Sequence, residues 1–457
     1  RMKKKEEEKR FEKAWVVTVD MGYGHQRAAY PLHDIAYKGI ITMNNYKGLP
    51  RAEKDIWHKS REGYEFVSRL QARSVIGKYA FELFDKIQEI PRFYPRRDLS
   101  KPNLQLLQTY NWIEKHGLGK HLFTKVLSEN QRLPLMCTFF LPAFAAEFYG
   151  YEGEIYCQIC DADVSRTWVP KDPKRSRIKY LAPNKRVVER LKLYGVQEEN
   201  IFYTGFPLPK ENIGGTDFKV LKKDLGARLL NLDPNRLTLH KFGHIINYHL
   251  GKKYIPERSN HPLTLVFAVG GAGAQSDIGE AIVKSLRKRI LGGELRLHLI
   301  AGVRKEVKEF FEEQIKVNRL EEEVGRGIHV FYEKTKQEYF RKFNALLRKS
   351  DILWTKPSEL SFYTALGLPI IMAPSVGSQE DFNRIWLKTV GGGISQDDPR
   401  YADEWLFDWI ESGWLARAAL NGFIEAPLLG TYATEKLVLT PHNHEAERIE
   451  EKAPLAV

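Results

Sequence analysis

Cysteine is nearly missing from this chain: three residues in 457, Cys137, Cys157 and Cys160, too few for a disulfide framework. Cys157-Gln158-Ile159-Cys160 has CxxC spacing, but it sits inside the strand-like stretch EIYCQIC and no second pair completes a zinc site. These thiols therefore read as small buried hydrophobes. No run of about 18 uncharged apolar residues occurs, so a membrane-spanning helix is not expected. The opening RMKKKEEEKRFEKAW lacks the apolar core of a secretory signal, which gives the expectation of a cytoplasmic protein. Tandem repeats and low-complexity tracts are absent too, which removes solenoid and fibrous classes.

What is present is an excess of positive charge: 71 Lys and Arg against 58 Asp and Glu, a net +13. Such a balance favours polyanionic partners, whether phosphorylated ligands, anionic lipid or nucleic acid. The basic clusters, 171–179, 184–192 and 239–261, match no RNA- or DNA-binding motif, so no nucleic-acid partner is expected. At 457 residues the chain exceeds what one hydrophobic core supports, and two domains are expected.

From Val16 apolar runs alternate with helical patterns. Ten strands are predicted: 15–19, 135–140, 154–160, 178–183, 200–205, 263–269, 295–302, 328–332, 351–355 and 369–374. Strands alternating with helices predict an α/β fold of parallel sheets covered on both faces. The polar, His- and Asn-rich stretch 215–262 interrupts the series before LTLVFAV starts a fresh one. The expected organisation is an N-terminal Rossmann-like domain over 1–214 with a helical insertion at 42–130, a second domain over 215–400, and C-terminal helices over 401–457 packing back on the first. The insertion interleaves Trp, Phe and Tyr with Lys and Arg, a composition suited to an anionic membrane surface, so peripheral association is expected.

Each domain opens on a strand that runs into glycines. The first strand leads to Asp20, Gly22, Tyr23, Gly24 and His25, with a helix expected over 26–36. The second leads to Gly270, Gly271, Ala272, Gly273 and Ala274 and an amphipathic helix. Backbone without side chains at a helix start offers N–H groups and a positive dipole end to a phosphate. His25 has two candidate roles, base for an acceptor hydroxyl or donor to the substrate; Asp20, at the strand end, is a candidate to orient it or to act as base itself. Lys210, just past TGFPLP, is a candidate to add a positive charge for the same phosphate.

Four stretches in order resemble the lipid-acting GT-B glycosyltransferases, the group of monogalactosyldiacylglycerol synthase and the peptidoglycan lipid-intermediate N-acetylglucosaminyltransferase. GYGHQRAA is similar to their Gly-x-Gly-His-x-x-Ala-Ala loop. YLAPNKRVVERLKLYGVQEENIFYTGFPL is similar to their strand, helix, strand and Thr-Gly-x-Pro segment. VGGAGA resembles their diphosphate loop. TKPSELSFYTALGLPIIMAPSVGSQEDFNRIWL resembles their nucleotide-sugar segment. The resemblance implies two doubly wound domains facing a cleft, a C-terminal helix crossing back to the first, and a UDP-sugar as co-substrate with no cofactor and no metal. It also implies an inverting transfer of a hexose or N-acetylhexosamine to a lipid or lipid-linked acceptor. By the same resemblance Gln379 and Glu380 meet the sugar hydroxyls, Asn383 supports the loop, and Gly22, Gly24 and Asp161 line the acceptor side.

Two departures stand out. Where the group carries an acid for the ribose hydroxyls, this chain has Phe362; Glu359, one helical turn earlier, is the nearest carboxylate. CDADVSRTW keeps Asp161 and Trp168 of the acceptor pattern and lacks its histidine. A UDP-sugar 2-epimerase of the same fold and a catalytically inactive nucleotide-sugar or lipid binder are the alternative readings.

Overall fold

A computed structural model describes residues 10–58, 90–268, 275–375 and 377–440. They form two compact units. One runs to Pro207 and takes in Gly377–Gln379 and the chain from Leu429; the other holds Leu208–Val376 and Glu380–Leu428.

The first unit is built on a six-stranded sheet of β1 (Ala14–Thr18), β2 (Ala36–Thr42), β3 (Leu135–Cys137), β4 (Ile155–Gln158), β5 (Lys179–Ala182) and β6 (Ile201–Tyr203). Their order is β2-β1-β3-β4-β5-β6 and every pairing is parallel. Both faces are apolar because both are covered. Trp15, Val17, Cys137, Cys157 and Tyr180 pack on one side with Phe140, Leu141 and Phe144 of the helix Phe140–Phe148. Ala14, Val16, Met136, Tyr156 and Leu181 pack on the other with Ala29, Leu32 and Val438. The three cysteines are buried and form no disulfide, and burial pushes the thiols of Cys137 and Cys157 well above their ordinary value.

The second unit carries β7 (Thr264–Ala268), β8 (Arg296–Gly302), β9 (Ile328–Tyr332), β10 (Ile352–Thr355), β11 (Ile370–Met372) and β12 (Gly393–Ser395), ordered β12-β11-β10-β7-β8-β9 and again all parallel. Counted within the unit this is the 3-2-1-4-5-6 order of a Rossmann fold, and the first sheet begins with the 2-1-3-4-5 order of the other common doubly wound sheet. In each, the chain leaves the first strand one way and later returns on its other side. The two switch points lie between β1 and β3 and between β7 and β10. The α/β class and paired doubly wound sheets are thus as expected, and all ten predicted strands form.

Several boundaries differ from expectation. The helix expected over 26–36 is Gly24–Ala29 followed by a 3-10 turn at Tyr30–Leu32, because Pro31 has no N–H for a continuing helix, and Ala36 already opens β2. That strand was not predicted. Lys38 and Gly39 both take positive φ, 58° and 89°, and the register shifts between Ala14 and Val16; the irregularity hides the alternation. The units divide after Pro207 rather than Gly214, since Asn212 Nδ2 donates to Asn344 O at 2.9 Å and Asn344 Nδ2 to Glu211 Oε1 at 2.9 Å, both within the second unit.

The C-terminal helices also divide. Ala402–Glu411 and Trp414–Glu425 belong to the second unit, where Trp405 packs 5.1 Å from Trp354 and Ser285 Oγ donates to Asp403 at 2.8 Å. Among the described residues the third, Gly430–Leu439, belongs to the first, with Tyr156 Oη donating to Leu437 O at 3.3 Å. Of the 42–130 insertion, residues 51–58 and Leu104–His116 are helical, and 59–89 lie outside the described residues. Among the described residues no helix is long and apolar enough to cross a membrane.

Candidate functional site

Ligands of doubly wound sheets bind outside the carboxyl ends of the strands at the switch point. In the first unit that position is the loop after β1 beside the end of β3. Thr138 Oγ1 donates to Thr18 Oγ1 at 2.8 Å in the buried interior, tying the two strand ends together. Asp20 follows; its N–H donates to Asn44 Oδ1 at 2.7 Å and its carbonyl accepts from Asn44 Nδ2 at 3.0 Å. Asn44 comes from the turn after β2 and was not anticipated from the sequence. Gly22 has φ of +100° and a Cβ there would meet nothing within 4 Å, so its glycine serves backbone conformation rather than space. Gly24 opens the short helix.

His25 is half-buried and its Nδ1 lies 2.8 Å from Thr138 O. A carbonyl only accepts, so Nδ1 carries the hydrogen, and in the neutral ring Nε2 bears the lone pair. The imidazole is flanked by aromatics, with Phe139 at 4.7 Å and Trp168 at 5.9 Å between centroids, and Phe139 in turn packs 5.6 Å from Trp168. The switch point thus offers a polar nitrogen beside an apolar wall.

Trp168 is held by the loop after β4. Asp161 in that loop is half-buried. Two residues on, the carboxylate of Asp163 is 1% exposed and meets Arg190 at 2.8 Å and Arg186 at 3.0 Å. Asn184 Nδ2 donates to Ala162 O at 3.0 Å, and Tyr180 Oη to Trp168 O at 2.8 Å. The acceptor-pattern stretch is therefore pinned by Asp163, which sequence reasoning passed over.

At the second switch point the predicted diphosphate residues Gly271, Ala272, Gly273 and Ala274 lie outside the described residues. On the far side of that loop Gln275 has φ of +74° and its Nε2 donates to Pro374 O at 2.7 Å; the helix Ser276–Ser285 comes next. Thr355 Oγ1, at the end of β10, donates to Ala268 O at 3.1 Å, joining the ends of β10 and β7. The next residue, Lys356, forms an ion pair with Glu380. Both are largely buried, with side chains 20% and 10% exposed, and Lys356 was not anticipated. Glu380, expected at the sugar hydroxyls, thus has a lysine as its partner. Asn383 is fully buried and donates to Pro357 O at 3.2 Å, bracing the same loop.

Glu359 is half-buried and opens a 3-10 helix, Glu359–Leu366, where an α-helix was expected. With three residues per turn Glu359 and Phe362 still share an edge, but Phe362 is spent on packing, 4.8 Å from Trp386. The far end of this helix is held by Arg228, fully buried, which donates to Leu366 O, Gly367 O, Ser350 O and Leu347 O at 2.7–3.1 Å. Gln379 is the second residue of the helix Ser378–Thr389. Lys210 opens the single turn Lys210–Ile213, half-exposed.

Comparison with known proteins gives little to add to this geometry. A family profile described as a domain of unknown function (DUF6938) matches residues 305–406. No curated relative matches the sequence. Among solved structures, MnaA of S. aureus with UDP is 12% identical over 94% of this chain and 95% of its own, with a TM-score of 0.46. UDP-GlcNAc 2-epimerase from Neisseria meningitidis bound to UDP-GlcNAc is 12% identical over 89% and 97%, with a TM-score of 0.42. MurG of Acinetobacter baumannii is 11% identical over 93% and 99%, with a TM-score of 0.42. At these values nothing of their activity is carried over to this chain.

Proposed function

We propose that the chain is a GT-B glycosyltransferase moving a hexose or N-acetylhexosamine from a UDP-sugar to a lipid-like acceptor at a membrane surface. The observation that carries the reading is His25. Its Nδ1–H is anchored on Thr138 O at a switch point, which leaves Nε2 as the basic nitrogen, and Phe139 and Trp168 line the ring.

Such a transfer needs two things. The acceptor hydroxyl must lose its proton as its oxygen bonds to the anomeric carbon, and His25 Nε2 takes that proton. The bond from the anomeric carbon to the diphosphate oxygen breaks, and the electron pair leaves with the diphosphate. Lys356, held by Glu380 at the switch point of a Rossmann-ordered sheet, supplies positive charge for that leaving group. Gly271 to Ala274 add backbone N–H groups in this reading, Glu359 takes the ribose, and Gln379 takes the sugar. The aromatic flank of His25 favours an acceptor with an apolar portion over a free sugar.

The test is to incubate the purified protein with radiolabelled UDP-sugars and a lipid extract, alongside His25→Ala. Label in the lipid phase that vanishes in the variant supports the transferase. Interconversion of the sugar nucleotide without transfer replaces it with an epimerase, and tight donor binding without turnover replaces it with an inactive binder.

A further inference from the structure

The basic stretch beyond the helix Lys219–Leu232 takes no part in either switch point, and its structure is specific. The helical segment Leu237–His249, kinked at Phe242 where φ is −115° and ψ 15°, is fixed to the second unit on both sides of the kink. The Asp233 carboxylate accepts from the N–H groups of Thr238 and Leu239 at 3.2 and 2.8 Å, and Thr238 Oγ1 donates to Gly413 O at 3.0 Å. Ile246 and Leu250 are buried. Leu237 before the kink and Tyr248 after it are 51% and 57% exposed, with His240, Lys241, His244 and Asn247 exposed between them. Arg236 precedes this face, and Lys252, Lys253 and Arg258 lie beyond it, all exposed.

Between Arg236 and Arg258 there are five cations and one carboxylate, Glu257, and none of the five forms an ion pair with a carboxylate of the described residues. Other helices of the same unit neutralise themselves: Lys305 with Glu309, Lys308 with Glu312, Arg341 with Glu338. Uncompensated charge is therefore gathered on a face that also exposes a leucine and a tyrosine. Lys241 and Lys253 lie 5.5 and 5.1 Å from the ring centroids of Phe242 and Tyr254, so cation and aromatic alternate along it.

We propose that this face, Leu237 to Tyr248 with the Lys252–Arg258 segment, docks on a bilayer carrying anionic headgroups. Lysines and arginines pair with the headgroups while Leu237 and Tyr248 enter the boundary with the acyl chains. An aliphatic side chain gains nothing from a phosphodiester backbone, which favours lipid over nucleic acid as the occupant. The docking deepens the membrane-surface part of the proposed function, but it is tested apart from the transfer, because flotation needs neither donor nor acceptor.

The experiment is flotation of the full chain with phosphatidylcholine vesicles, with and without about 30% phosphatidylglycerol. Wild type is expected to float only with the anionic vesicles and to be released at about 0.5 M salt. Lys241→Glu/Lys252→Glu/Lys253→Glu is expected to weaken partitioning by more than about a hundredfold, at about fivefold per cation. Tyr248→Ser, which leaves the charge intact, is expected to weaken it severalfold. Flotation of the triple variant like wild type overturns the proposal, as does equal binding to neutral vesicles or no flotation of wild type. Retention of wild type on a duplex oligonucleotide but not on vesicles overturns it in favour of nucleic acid.

Discussion

The two switch points differ in what stands just past their strand ends. At the first, Asn44 brackets the Asp20 backbone and Thr138 O holds His25 Nδ1. At the second, a largely buried lysine-glutamate pair stands where β10 ends, and a fully buried arginine secures the far end of the adjoining 3-10 helix. Anchoring Nδ1 on a carbonyl fixes which nitrogen of the His25 imidazole carries the hydrogen. A held cation suits a ligand whose negative charge grows as it leaves. In the proposed reading, two sheets of the same class are specialised by the residues just past their strand ends.

The sharpest way to break this contrast is His25→Ala. Turnover is expected to fall at least about a hundredfold with little change in donor affinity, measured by initial rates and by calorimetric titration of the UDP-sugar. Equal losses in both would mean that the two loops share one role. Next in size is Lys356→Met, which leaves Glu380 without its cation; donor binding is expected to weaken about ten- to a hundredfold. If acceptor saturation shifts and donor affinity does not, the assignment of charge to the second unit is wrong.

A third prediction concerns pH. On β8 and β9, His298 and His329 stack at 4.4 Å with rings 6° from parallel. Burial, then the neighbouring His329 and Arg296, push His298 down to about 3, and burial and Arg296 lower His329 as well. The unfolded chain then takes up a proton near pH 6.5 that the folded chain refuses. The stability of this sheet edge is accordingly full above pH 6.5 and falls as pH drops toward 3, by up to about 1.4 kcal/mol per pH unit for His298. Hydrogen exchange of the β8 and β9 amides between pH 7 and 5 reads it, and His298→Gln should flatten the slope. Smallest is Asn44→Ala, which removes two hydrogen bonds from the Asp20 backbone. A stability loss of about 1 kcal/mol per bond should accompany a larger fall in turnover than in donor affinity. A change in stability alone would make Asn44 merely structural.

Much of the fold was legible because its signals are local. Strands buried on both faces must be apolar at every position, so AWVVT and TLVFA stand out. Where local regularity fails, the reading fails too: Lys38 and Gly39 at positive φ concealed β2, and Pro31 shortened the helix before it. For the site, the glycine loop and its histidine were visible as residue types at a strand end. Asn44, Lys356 and Asp163 were not. An asparagine after a strand, a lysine before a proline and an aspartate in a polar loop are each common on solvated surfaces, and only their partners distinguish them.

The order of strands and helices, the doubly wound class and the position of both glycine loops come from the chain itself, since each depends on side chains within a few residues. Which nitrogen of His25 holds the proton depends on Thr138, 113 residues away in sequence. Lys356 meets Glu380 across 24 residues, and Asn44 meets Asp20 across the same distance. The tertiary structure decided these, because a hydrogen bond or ion pair is made by atoms within about 3 Å, and only packing of the sheets brings the atoms of distant residues that close.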